Sequence, residues 1–426
     1  MFQKNGEQLL REFSQTAYPC EFRKINERIY HVTGLGHSNA VAIEGESSWI
    51  LVDALDCDTR AEKLKSGLRG LADKPVKTLL FTHGHYDHHA GSGMFRDTAE
   101  EVIAFSPRRP ALKHYDCLSD VLQKRTARQF GYGLTDEECI SQGIGIREGT
   151  ALGEGSRTYL EPNVVYTEDV VRRTIDGVRL ELVSAVGETD DQLFVWLPDD
   201  SALCCGDNYF GCFPNLYAIR GSQYRDIASW VDSLDRMLGY PAEALLPGHT
   251  RAVLGAGDVR ETLTGYRDAL EYILLNTLDC MNRGMSESET VERVRLPEEL
   301  AKKPFLQEFY GTVEWSVRAV YHGYVGWFDG NPAQLSPLPD WKFDSKLISL
   351  IGPDVLLREI NASLEQGDYQ MAAQLCDLSL NSGSHVEECR RLKAESLLAL
   401  SKLTTSANAR HYYISCAKEL LEPASR

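Results

Sequence analysis

Apolar residues near the start of the chain come in short bursts. "RIYHVTG" (28–34), "SNAVAIEG" (38–45) and "SSWILVDA" (47–54) are apolar or alternating runs separated by Gly and Ser turns, which predicts three β-strands. A helix is predicted over 59–72, "TRAEKLKSGLRGLA", followed by the strand "VKTLLFT". Residues 106–165 break the rhythm. They are rich in Arg and Gly and weakly periodic, as in "KRTARQFGYG" and "GIGIREGTALGEG", and read as a long excursion over whatever lies at the strand ends. Strands resume at "RTIDGVRLELVSA", "DDQLFVWLP" and "SALCCGD", and the chain then reaches "ALLPGHT" near 250.

From about 256 the spacing becomes helical, as in "VRETLTGYRDALEYILLNTLDCMNRG" and "VEWSVRAVYHGYVGWF". The tail, 353–421, adds amphipathic pairs, "REINASLEQGDYQMAAQLCDLSLNSG" and "ECRRLKAESLLALSKL". The chain is therefore expected to divide into an α/β domain, 1–255, and an all-helical one, 256–426. With no second domain to cover, the tail helices are expected to pair with another copy.

Composition narrows the functional classes. A net charge of −17 argues against a nucleic-acid surface, which needs clustered Lys and Arg. Eleven cysteines without CxxC pairs signal neither a zinc knuckle nor a disulfide framework and are expected to be reduced, in a cytoplasmic protein. "MFQKNGEQLLREF" has no apolar signal-peptide core, and no run approaches the length of a membrane span.

The chemistry concentrates in "FTHGHYDHHAG", 81–91, which holds four of the eleven histidines around Asp87. An exposed strand-to-helix loop would account for Gly84 and Gly91 but not for the histidines. Imidazole nitrogens and carboxylate oxygens are ligands for zinc, iron or manganese, so the run predicts a metal site. His83 and His85, two apart in extended chain, point the same way. As the chain turns, Asp87 and His88 can face a second ion. A pair of ions needs further donors after later strands, and the candidates are Glu188 in "SAVGETDDQ", Asp207 in "LCCGDN" and His249 in "LLPGHT". Singly, each reads as a solvated turn residue. In this order, behind H-x-H-x-D-H, they read as one site.

With these motifs the sequence resembles the metallo-β-lactamase superfamily over roughly 25–255, which implies an αββα sandwich with one or two metals at its strand ends. "FYGTVEWSVRAVYHGYVGWFDGNPAQLSPLP" and "GDYQMAAQLCD" extend the resemblance to the dimerising alkyl sulfatase branch, over nearly the whole chain. The resemblance implies an αββα sandwich followed by an all-helical dimerisation domain. It implies two Zn2+ per chain, with His83, His85 and Glu188 on one ion, Asp87, His88 and His249 on the other, and Asp207 bridging. Asp87 and Asp207 are the candidate catalytic carboxylates, acting with a metal-bridging hydroxide. Asn215 and Arg220, in "NLYAIRG", match that branch's sulfate-binding Asn and Arg, and a guanidinium fork suits a tetrahedral oxyanion. The expected substrate is an alkyl sulfate or similar small anionic ester, and the expected partner is a second copy of the chain. The alternatives are a hydrolase of the same fold acting on a lactone, thioester or phosphoester, or a metal-binding homologue without turnover.

Departures from the branch are visible too. Asp207 stands where Glu is usual. Histidines that would protonate a leaving alkoxide are replaced near Gly211 or Cys212 and at Trp315, with Ser316 in place of an Asn. The long N-terminal segment and the C-terminal sterol-carrier-like domain of those enzymes have no counterpart in the sequence. Arg125, Arg128 and Tyr132 are candidates for a lid.

Overall fold

The computed structural model describes residues 6–423. Seven strands form one sheet in sequence order: β1 (Glu21–Lys24), β2 (Ile29–Thr33), β3 (Ala40–Glu44), β4 (Trp49–Val52), β5 (Val76–Leu80), β6 (Glu101–Phe105) and β7 (Val164–Tyr166). Six more form a second: β8 (Val170–Ile175), β9 (Val178–Ser184), β10 (Leu193–Leu197), β11 (Ala202–Gly206), β12 (Ala244–Pro247) and β13 (Val253–Leu254). Hairpins give antiparallel pairs. The parallel pairs β4–β5 and β11–β12 are bridged by the crossover helices Asp58–Leu71 and Ile227–Leu238.

Side-chain alternation explains how two sheets fill three apolar layers. In β4, Ile50 and Val52 face the second sheet, while Trp49 and Leu51 pack under the helix Asp58–Leu71 with Leu64 and Leu68. In β10, Leu193, Val195 and Leu197 point inward to the first sheet. Phe194 and Trp196 point outward, with Leu203 and Cys205 of β11, to the helices Ile227–Leu238 and Ala256–Asn282. All of these strand residues are buried, which is why the runs read as continuously apolar. The result is an αββα sandwich followed by helices. Its outermost core layer is shared with the helical part through Tyr266, Leu270, Ile273 and Val317.

The excursion 106–165 carries an unforeseen helix, Ser119–Phe130, closed by Gly131 in the left-handed conformation. Its outer side is held by the last helix, Ala407–Leu421: Arg128 pairs with Glu419, and the His411 ring is bonded to the Gln129 carbonyl at 3.0 Å. This corrects the premise that the tail helices have nothing in their own chain to cover. The helices Asp340–Ile351, Pro353–Gln366, Tyr369–Ser382 and Val386–Leu403 make a further array with its own small core around Ile360, Cys376 and Leu392. No helix among the described residues is long and apolar enough to cross a membrane.

Candidate metal centre and its cavity

Every predicted donor follows a strand of the sandwich, and all converge. His83, His85, Glu188 and Asp207 offer ligand atoms within 4.8 Å of one another, and so do His88, Asp207 and His249. Asp207 belongs to both groups. His88 Nε2 lies 3.3 Å from Asp207 Oδ1, and His249 Nε2 lies 3.2 Å from Asp207 Oδ2. His85 Nδ1 is 3.1 Å from Glu188 Oε2, and Asp87 sits 3.4 and 3.5 Å from His88 and His249. His89, also in the histidine run, turns away and bonds the Gly84 carbonyl.

The backs of these residues are tied, which fixes which atom faces the centre. His88 Nδ1 is 2.7 Å from Asp53 Oδ2, and His249 Nδ1 is 3.0 Å from the His37 carbonyl. His83 Nδ1 meets the Thr82 hydroxyl at 3.1 Å, and that hydroxyl donates to Asp53. Glu188 turns one oxygen to His85 and receives Arg225 Nη1 on the other at 2.6 Å. Such outer partners set tautomer and ring orientation in metal sites. Asp53 holds a left-handed backbone, φ 61°, a strain that surrounding structure sustains at functional sites.

A divalent cation suits the arrangement on physical grounds. His88 Nε2, His249 Nε2 and Asp207 Oδ1 are buried without a hydrogen-bond partner in the described structure, although buried polar atoms are nearly always paired. Room is kept for them by Gly248, where a Cβ would strike Asp207 Oδ1 and come within 2.8 Å of the His88 ring. The electrostatics agree. Burial opposes charge on Asp207, yet His249, His88 and His83 together hold its carboxyl well below the usual range. Burial likewise opposes a charged His88, but Asp207, Asp87 and Asp53 raise it well above an ordinary imidazole. Burial keeps His83 and His37 low. A centre that holds Asp87, Glu188 and Asp207 together out of water calls for cations.

His85, Asp87, Glu188, Asp207 and His249 form the floor of a cavity of about 850 Å³, and His83 and His88 are buried outside its lining. Asn215 and Arg220 both line it, and Arg220 is placed by a bond from its backbone N–H to Gln129 Oε1 at 2.8 Å. One face of the helix Ser119–Phe130, with Leu122, Thr126 and Phe130, forms a wall with Ile144 and Ala218. Of the lid candidates only Tyr132 lines the cavity. Arg125 instead bonds the Ile219 carbonyl, bracing the segment that carries Arg220, and Arg128 is taken by Glu419. Gly211, Cys212, Trp315 and Ser316 lie outside the lining.

Several cavity and support residues escaped the sequence reading. Asp53 carries the same signature as Asp207, a carboxylate ending an apolar strand. His37 stands in a Gly-Ser turn between strands. Arg225 and Glu148 come from loops and carry no local signal. Glu148 is buried beside Tyr132 and Arg157. Burial pushes its carboxyl up to about 7, against the Tyr132 hydroxyl that donates to it at 2.5 Å.

Comparison with known proteins agrees with this architecture. Residues 33–249 match the metallo-beta-lactamase superfamily model, and residues 286–422 match the model for alkyl sulfatase dimerisation. A linear primary-alkylsulfatase of Pseudomonas sp. is 32% identical over 392 residues, 89% of this chain and 73% of its own length. An (R)-specific secondary-alkylsulfatase of Pseudomonas sp. is 29% identical over 93% of this chain and 62% of its own. The solved structure of the stereoselective inverting sec-alkylsulfatase Pisa1 from Pseudomonas sp. superposes with a TM-score of 0.85 at 27% identity, covering 96% of this chain and 66% of that one. The chain thus spans between three-fifths and three-quarters of these relatives' lengths. It belongs to the metallo-beta-lactamase superfamily, in the branch that carries the alkyl sulfatase dimerisation region.

Proposed function

We propose that the protein hydrolyses sulfate monoesters of apolar alcohols at a two-zinc centre. The observation that carries this is one cavity that brings together clustered histidine and carboxylate donors, the Arg220 guanidinium and an apolar wall. His83, His85 and Glu188 would hold one ion and Asp87, His88 and His249 the other, with Asp207 between them; the overlapping donor groups, in which Asp207 is shared and His249 reaches both His88 and Asp87, support this division. When bound, the ions supply a nucleophile from water at neutral pH and positive charge for the ester's oxygens. Arg220 and Arg225 line the cavity and, with the bound ions, would supply local positive charge for an anionic ester in a chain whose overall charge is −17.

The chain's own residues then divide the remaining work. Asp87 and Asp207 hold the reacting centre in register. Arg220 and Asn215 bind the non-reacting sulfate oxygens and offset charge as it develops. Leu122, Phe130, Ile144 and Ala218 take the alcohol's hydrocarbon and exclude water. With Gly211 and Trp315 away from the cavity, Glu148, whose carboxyl burial pushes up to about 7 and to which Tyr132 is bonded, is the lining acid suited to hold a proton for the leaving alkoxide. Residues 1–255 form the hydrolytic unit and 256–426 the helical one.

The helical unit mediates a homodimer. Between Tyr324 and Phe343 the chain exposes Val325, Trp327, Leu335, Leu338 and Trp341, with Trp327 at 72% and Trp341 at 61% exposure, inside the region matched by the dimerisation model. Large apolar side chains left exposed along one segment in this number mark a protein contact.

The test is metal analysis of purified protein followed by a panel of sulfate, phosphate and lactone substrates carrying the same alkyl chain. Close to two zinc ions per chain and fastest turnover of the sulfate are expected. A preferred lactone or phosphate ester would replace the sulfatase reading with the broader hydrolase. Two metals with no turnover of any ester would favour a binding homologue.

A further inference from the structure

His37 lies outside the seven donors considered so far, yet it offers a ligand atom within 4.8 Å of those of Asp87 and His249. It is buried, and its ring stands 5.1 Å from the His249 ring and 5.9 Å from Phe130, at the edge of the cavity. Its Nδ1 is 3.0 Å from the Ile146 carbonyl, which makes that nitrogen the protonated one and leaves Nε2 with a free lone pair.

The residue is also immobilised from three other directions. Its backbone N–H donates to Asp56 Oδ1 at 3.1 Å, and Asp56 is itself gripped by Arg60 and by the Gly149 N–H. Its carbonyl accepts His249 Nδ1, and the next residue, Ser38, donates to the Asp87 carbonyl at 2.6 Å. The turn thus holds His249 through the His37 carbonyl and the Asp87 backbone through the Ser38 hydroxyl, and presents its own imidazole to both donors. A fixed, correctly protonated imidazole with one open nitrogen, beside a carboxylate and a second imidazole, is the form in which histidine ligates metals.

We propose that His37 is an additional ligand of the ion held by Asp87, His88 and His249, making that position richer in nitrogen than the one at His83, His85 and Glu188. This rests on the two-metal reading above. It predicts that the two positions differ in affinity and in ligand field, and that the difference depends on the His37 ring.

The experiment strips the full-length protein of metal with a chelator and titrates Co2+ back into wild type, His37→Leu and His37→Asn. Visible absorption and elemental analysis follow the binding. Asn keeps an N–H for the Ile146 carbonyl but has no nitrogen able to ligate. Both variants should bind the first Co2+ as wild type does and the second about 10- to 100-fold more weakly, at least the loss seen when a ligand's outer partner is removed, with an altered cobalt spectrum. If both variants keep wild-type affinities and spectrum, His37 is only cavity wall and the inference fails. If Leu weakens binding but Asn restores it, the role is the bond to Ile146 and the inference also fails. Wild type binding no cobalt would sink both this and the two-metal reading, whereas wild type binding two with unaltered variants sinks this one alone. Circular dichroism of each apo-protein confirms that a lost ion is not a lost fold.

Discussion

The floor of the cavity and the segment from Tyr324 to Phe343 are both incomplete, in opposite ways. At the floor, polar atoms of His88, His249 and Asp207 are buried with no partner. On the segment, Trp327, Leu335 and Trp341 are apolar with no cover. What is missing identifies what completes each: a lone pair withheld from water is satisfied by a cation, and hydrocarbon left in water by another apolar surface. The floor is also rigidly backed, by Asp53, Thr82, Arg225 and the His37 carbonyl, whereas most of the segment's side chains are solvent-exposed. The first is preorganised for a small ligand, and the second is built for a partner.

The largest effect should come from breaking the floor. His88→Ala removes a donor and takes from Asp53, Asp87 and Asp207 the one imidazole that all three share. One ion per chain should be lost, with turnover falling to that of the metal-free protein. Elemental analysis and a rate assay on the same preparation check this, and a variant with two ions and normal turnover would show that the histidine run is misassigned.

Breaking the other region should leave the metals alone. Trp327→Ser with Trp341→Ser removes two aromatic anchors, each worth about 2 kcal/mol where such residues are fully covered, so the dimer should weaken by about a thousandfold. Light scattering at micromolar concentration should shift from the two-chain to the one-chain mass, with zinc content unchanged. A wild-type protein that already runs at 47.7 kDa would remove the basis of the comparison.

A third variant concerns Arg220, on the cavity lining. Arg220→Ala should keep both ions and lower turnover of a sulfate ester by about two to three orders of magnitude, the usual effect of removing a charge-stabilising donor. Lys should rescue it incompletely, for want of a bidentate fork. Unchanged turnover in the alanine variant would pass the anion-binding role to Arg225, which is buried on the same cavity against Glu188.

How much of this was legible in the sequence follows from where each residue sits. The strands were readable because both faces of β4, β10 and β11 are buried, giving unbroken apolar runs cut by Gly and Ser. The seven candidate donors were readable for the same reason, since each follows such a run. The helix Ser119–Phe130 was not. One face lines a partly polar cavity with Gln123 and Thr126, and another carries Arg128 to its ion pair, so no long apolar stripe remains. Arg225 and Glu148 reach the cavity from loops, where nothing nearby in sequence betrays their neighbours. The self-covering of the tail was missed because an amphipathic helix does not declare whose surface it packs against.

The smallest predicted effect tests that self-covering, and it is the one governed by pH. His411, on the last helix, is fully buried against the Gln129 carbonyl. Burial first, then Arg410 and Arg147, lowers its imidazole from 6.5 to about 4. The folded state therefore keeps this histidine neutral where the unfolded chain would protonate it. Above pH 6.5 neither state binds the proton and the group has no effect. Between 6.5 and 4 the unfolded state binds more protons, so stability falls as the pH falls, by roughly 2 kcal/mol at pH 5. His411→Asn retains an N–H for Gln129 and cannot titrate. Thermal melting of the metal-loaded protein should show the variant somewhat less stable than wild type at pH 7.5, with the gap closing or reversing by pH 5. Parallel curves from 7.5 to 5 would mean that the contact between the helices Ala407–Leu421 and Ser119–Phe130 opens before the protein unfolds. In that case the tail belongs with the exposed segment, as a surface awaiting a partner, and not with the rigid body that carries the site.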